Sequence, residues 1–146
     1  MEELLSGYSL ASVLWPPGAG RWSILEVTAH LADAELLASA RIRRIITQDL
    51  PEMRGYQQEL WARSLAYRRQ KIETVSARFI GLRRENVWLL EMISDDVWRL
   101  KGRHDEYGEL SLRELIEDYV THTAKHLEQI RSAAAEFEAT INKPQE

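Results

Sequence analysis

Ser111–Ile130, SLRELIEDYVTHTAKHLEQI, is the stretch whose reading decides the fold. Ser111 and Glu114 stand at capping-box spacing, so the serine can cap a helix start while the glutamate reaches back to it. From there Leu112, Leu115, Tyr119, Ile130, Ala133 and Phe137 recur on one helical face, and the helix should run to about Thr140. His122 and His126 are one turn apart, project from the same face and can share one metal ion. With His122 at zero on a helical wheel, His126 falls at about 40°, between Leu115 and Ala133 at about 20° and Tyr119 and Phe137 at about 60°. One histidine therefore lies inside the apolar stripe and the other on its edge.

A second long helix is readable upstream. Ser23 and Glu26 form another capping box, and Ile24, Val27, Leu31, Ala34, Ala38, Ile42 and Ile45 follow at helical spacing until Asp49-Leu50-Pro51. His30 flanks that apolar stripe. Ala34 at about 40° and Arg41 at about 20° lie on the histidine's side. A small alanine there leaves room for water or a ligand. Arg41 could clamp an anionic substrate group, or could simply lay its stem over apolar surface.

The remaining chain reads as follows. Glu2 to Leu14 is a short helical opening, stopped by Trp15-Pro16-Pro17-Gly18. A short helix is expected around Leu60 and Trp61, with a break from Tyr67 to Lys71. Helical spacing resumes through Ile72, Val75, Phe79, Leu82, Val87, Leu90 and Ile93. Ser94-Asp95-Asp96 and Gly102 to Gly108 read as irregular connection, and residues 141–146, with Pro144, as a frayed tail. No segment shows sustained period-two alternation, so strands are not expected. The class is all-α: one domain spanning residues 1–146, four principal helices in a bundle, and short extra helices. The linkers 50–56 and 94–110 are long for a simple up-down arrangement, so at least one crossover is expected.

Composition excludes several functions. The chain has no cysteine, which removes disulfides, thiolate ligands and a cysteine nucleophile; any metal must rest on histidine, carboxylate or water. Net charge is −4, yet residues 41–103 hold 14 Lys/Arg against 8 Asp/Glu. Those cations are interspersed with acids and apolar positions, as on solvated helix faces, so nucleic-acid binding is not expected. No apolar run approaches a membrane span, and the N-terminus lacks a signal-peptide pattern. A cytoplasmic protein with a small-molecule substrate is the default expectation.

Three neutral imidazoles from His30, His122 and His126 would leave an open coordination position on zinc or nickel, with iron a further candidate. Hydrogen-bonded core histidines explain the same residues if no metal is present. Asp118, one turn before His122, and Glu26, one turn before His30, are candidates to orient the ring nitrogens, and each also reads as a solvated acid or a cap. His104 falls in a polar loop and reads as structural or as part of a pocket rim. Trp22, Trp61 and Trp88 read as filling space between helices.

WSILEVTAHLADAE around His30, ARIRRI, GYQQELWA and HDEYGELSLRELIEDYVTHTAKHLEQI together resemble the DinB/YfiT-like superfamily of metal-binding four-helix bundles. The resemblance covers about residues 22–130. It implies an up-down-down-up bundle, often a homodimer, with His30, His122 and His126 at the positions of the family's three metal ligands. It also implies, as the leading expectation, a metal-dependent enzyme that transfers a low-molecular-weight thiol to an electrophile. Metal-dependent hydrolysis at the same site is the alternative, and a non-catalytic metal-stabilised binding module is the third reading.

Overall fold

Both capping boxes form. Ser23 Oγ accepts from the Glu26 amide at 3.3 Å while Glu26 Oε2 accepts from the Ser23 amide at 3.0 Å. Ser111 and Glu114 repeat the exchange at 3.2 and 2.8 Å. The computed structural model describes Met1 and residues 5–143. Its elements in chain order are α1 (Leu10–Leu14), α2 (Ile24–Thr47), β1 (Glu52–Met53), α3 (Gln58–Ser64), α4 (Ile72–Met92), β2 (Lys101–His104), β3 (Gly108–Ser111) and α5 (Leu112–Ile141). Single 3₁₀ turns occupy Tyr67–Arg69, within the expected break, and Val97–Arg99.

Helix α2 is the central element, packed by α1, α4 and α5. Its cross-helix bonds reveal the directions of its neighbours. Asp33 pairs with Arg78, Glu35 with Arg83, and Ser39 with Asn86, so numbers rise together and α2 and α4 run parallel. Against α5 the order reverses: His30 meets His122, and Arg41 meets Tyr119. Two consecutive parallel helices need a connection that returns along the bundle, which is the work of residues 48–71. The expected crossover is therefore present, and it carries α3. The structure is the four-helix bundle read from the sequence, with a short α1 as the fourth member.

Two apolar clusters make the core. One joins Ile24, Leu25, Val27 and Leu31 to Val75, Phe79, Ile130 and Ala133; the other joins Ala38, Ile42 and Ile45 to Met53, Leu112 and Leu115. Along α5 the clusters are separated by the stretch that holds His122 and His126. Burying these side chains, at about 1.5–3 kcal/mol for each large one, drives the assembly.

Three expectations need correction. The opening segment is not one continuous helix: Leu5 is helical, residues 6–9 are not, and Ser9 caps a new start by accepting from the Ser12 amide at 3.2 Å, with α1 over Leu10–Leu14. Residues 2–4 of that segment, and Pro144 in the tail, lie outside the described residues. Strands are present too. Residues 102–108, read as irregular, belong to a β2–β3 hairpin that turns through residues 105–107 into Gly108, whose φ is 75°, and β1 joins β2 in parallel. Only four residues long, β2 turns Gly102 and His104 inward, so its alternation contains no apolar side chain to detect.

Gly102 is constrained by space. A Cβ there would lie 2.8 Å from Met53 Cε and 3.1 Å from Ile45 Cγ1, both in the buried cluster. Gly102→Ala should therefore cost about 1–3 kcal/mol through overpacking. A lowered thermal midpoint by circular dichroism checks this; an unchanged midpoint would mean that the end of the Met53 side chain swings aside to admit the methyl group.

Candidate metal centre

His30, His122 and His126 converge in the gap between the two apolar clusters. Each offers one ring nitrogen, and these atoms lie within 4.8 Å of one another. His30 Nε2 and His122 Nε2 are 3.0 Å apart. The ring centroids of His30 and His126 are 4.7 Å apart, and those of His122 and His126 4.5 Å. The i, i+4 spacing on α5 sets the last pair, while the antiparallel α2 brings His30 to it.

Their surroundings hold these rings neutral. His30 is completely buried. Its pKa is pushed down to about 3, first by burial and then by His126 and His122. Burial is also the first cause lowering His122 and His126. Neutral imidazole is the form that donates a lone pair to a metal, so the site is set up for ligation near neutral pH.

Two of the three rings have their outer nitrogen tied. His126 Nδ1 is 2.8 Å from Gln129 Oε1, an acceptor, so Nδ1 carries the proton and Nε2 is left with its lone pair. His30 Nδ1 is 3.2 Å from the Tyr56 hydroxyl. Neither partner was named from the sequence as an orienting group. Gln129 had a signal, since it stands three residues past His126 on the same helix. Tyr56 had none, because it arrives on the crossover.

The two carboxylates expected to orient these rings do not bond to them. Glu26 is corrected: Oε2 accepts from Ser23 and Oε1 from Arg68 Nε at 2.8 Å, so its carboxylate is consumed at the helix start. Asp118 is exposed and lines the same pocket as His122. Its charge favours the protonated ring, but His122 Nδ1 is buried without a hydrogen-bond partner among the described residues.

Beside His122 opens a pocket of about 130 Å³, walled by Ala34, Tyr56, Asp118, Tyr119, His104 and Arg41. The space next to Ala34 is thus real. Arg41 is fixed by neutral acceptors: Nη1 donates to Tyr119 Oη at 2.8 Å and Nη2 to the Arg54 carbonyl. His104 is buried on β2, with Nε2 3.4 Å from Arg41 Nη2, and it lines the pocket without joining the three histidines. Trp22 packs on His30 with ring centroids 5.2 Å apart, and Trp61 packs on Tyr56 at 4.5 Å. Trp88 is exposed, so it fills no interhelical space within this chain.

The sequence model of the DinB superfamily matches residues 1–130. The chain belongs to the DinB superfamily. It is 29% identical over 114 residues to the "Putative metal-dependent hydrolase" of Oceanobacillus iheyensis, covering 78% of this chain and 66% of that one. A relative of the same designation from Geobacillus kaustophilus is 28% identical over 133 residues, covering 90% of this chain and 75% of its own. Another from Geobacillus thermodenitrificans is 30% identical over 114 residues, covering 77% and 64%. The matched stretch thus spans less than two thirds of two of these relatives. The solved structure of YfiT from Bacillus subtilis, described as a probable metal-dependent hydrolase with an unusual four-helix bundle topology, superposes with a TM-score of 0.85 at 19% identity. That match covers 94% of this chain and 79% of YfiT. At that identity the likeness speaks for the fold.

Acid stability follows from the buried histidines. The folded state holds their pKa values below the ordinary 6.5, so between about pH 3 and 6.5 the unfolded chain binds more protons. Their contribution is fully present above pH 6.5 and is lost as pH falls toward 3. In metal-stripped protein the thermal midpoint should drop between pH 7 and 4, and His30→Gln should flatten that drop. Equal slopes in the two proteins would show that His30 is not desolvated.

Proposed function

We propose that the chain is a metal-dependent enzyme in which His30, His122 and His126 hold one divalent ion at the inner end of the pocket. The observation that carries this reading is the convergence of three neutral-held imidazoles, His30 buried and His122 and His126 half-buried, with His122 at the pocket wall. The donor set suits zinc or nickel, with ferrous iron also accommodated. A divalent ion held there would supply Lewis acidity, lowering the pKa of a small nucleophile brought to its open position.

The chain's own groups supply the rest. Gln129 and Tyr56 fix ring orientation, which is how partners of ligand histidines tune a site. Asp118 stands at the pocket wall as an acceptor for a proton released by the nucleophile. Arg41, immobilised by Tyr119 and Arg54, places a permanent positive charge where a substrate anion would sit. Burial raises the Tyr119 pKa, so its phenol stays protonated and can donate a hydrogen bond into the pocket.

Two nucleophiles suit this arrangement. Water makes the protein a hydrolase, a reading supported by the designations of the relatives. A low-molecular-weight thiol makes it a transferase acting on an electrophile, a reading supported by the family resemblance and by the absence of any cysteine in the chain. Metal content by mass spectrometry, paired with assays of ester hydrolysis and of thiol conjugation, separates them. Wild-type protein should carry about one ion per chain, and His30→Ala and His126→Ala should each lose it, with activity falling by at least about 100-fold. Turnover without added thiol assigns hydrolysis, and turnover only with thiol assigns transfer. Equal activity in metal-stripped and metal-loaded protein would exclude both.

A further inference from the structure

Arg41 lines two cavities. One is the pocket beside His122; the other is a groove of about 350 Å³ on the far side of the crossover strand. The two meet where Arg54 passes to Gly55, and the Arg54 carbonyl accepts from Arg41. The groove is walled by Leu37 and Met53 and lined by three arginines, the half-buried Arg41 and the exposed Arg44 and Arg54. Among the described residues, no carboxylate pairs with any of the three. Arg41 bonds a phenol and a carbonyl, and Arg44 Nε bonds the neutral Gln48 side chain at 3.4 Å. The one acid in the groove wall, Glu52, lies 3.6 Å from Arg103 Nη1 on the neighbouring strand. Elsewhere the arginines next to α2 carboxylates are paired: Arg68 with Glu26, Arg78 with Asp33 and Arg83 with Glu35.

We infer that the groove is an oxyanion subsite, and that the substrate carries a carboxylate or phosphate at the end remote from the reacting atoms. The reacting end enters the pocket beside His122, the anionic tail crosses Arg41, and Arg44 and Arg54 close on it. Planar guanidinium groups bind carboxylate and phosphate oxygens two at a time, so three arginines lining one groove, whose single acid Glu52 is turned to Arg103, suit an oxyanion. Leu37 and Met53 take the apolar part of the chain between the two ends. The placement of the reacting end rests on the metal-centre reading; the subsite itself does not.

The test uses inorganic phosphate, titrated calorimetrically at low ionic strength into metal-loaded and metal-stripped protein. Both forms should bind it, and a double variant, Arg44→Ala with Arg54→Ala, should weaken binding by about tenfold or more in both. Arg84→Ala, which removes an exposed arginine from α4 far along the chain from the groove, should change affinity less than about twofold, since only bulk charge is altered. Metal content is measured on the same samples. No phosphate binding by wild type, equal affinity in the double variant, an equal loss in Arg84→Ala, or binding confined to metal-loaded protein would each overturn the subsite. Wild-type protein that takes up no metal on attempted loading, yet keeps arginine-dependent phosphate binding, would uphold the subsite and sink the metal-centre reading instead.

Discussion

Helix α2 carries three buried carboxylates, Glu26, Asp33 and Glu35, and their need for partners constrains everything around them. An ionised carboxylate taken out of water without compensation is strongly destabilising. Asp33 accepts from Tyr67 Oη at 2.7 Å and pairs with Arg78 at 2.9 Å; Glu35 takes Arg83 at 2.7 Å and Asn86 Nδ2 at 2.8 Å. These pairs admit only one register between α2 and α4. His30 lies between Glu26 and Asp33 on the same helix, so the register that satisfies the acids also sets the height of the histidine in the bundle. Apolar packing alone would tolerate a slip that polar pairing does not.

The parallel course of α2 and α4 has a second consequence. It forces a long return segment, and that segment carries Tyr56 to His30, Arg54 to Arg41 and Trp61 onto Tyr56. The small sheet then anchors the segment's first half: β1 pairs with β2, and the Gly55 amide donates to Asp105 Oδ1 at 2.9 Å. A topological necessity thereby becomes the pocket wall. The sheet also buries His104 beside Arg41, which places a polar ring near the substrate space without making it part of the histidine cluster.

Much of the helical framework was legible along the chain because its signals are local. Both capping boxes, the stop at Asp49-Leu50-Pro51 and the break before Ile72 depend on neighbours within a few residues. The histidine pair was legible for the same reason, since i, i+4 spacing dictates a shared face. Glu26 shows the limit. Its spacing served equally for capping Ser23 and for orienting His30; in the fold Ser23 takes one carboxylate oxygen and Arg68, arriving from the crossover, takes the other. The hairpin was hidden by its content: Gly102 faces the core because a side chain would not fit, and His104 faces it for polar contacts.

By itself the sequence determined the helix starts, the single pair of histidines on α5 and the candidacy of His30, all through periodicity and local hydrogen bonding. Tertiary structure alone decided that the three rings meet, that Tyr56 rather than Glu26 lies against His30, and that Arg41 stands between two cavities. Those outcomes depend on the register of α2 against α4 and α5 and on the path of the crossover. Both arise from pairing buried charges and packing side chains across more than 40 residues of chain, as the Ser39–Asn86 and His30–His122 contacts illustrate. No local pattern encodes them.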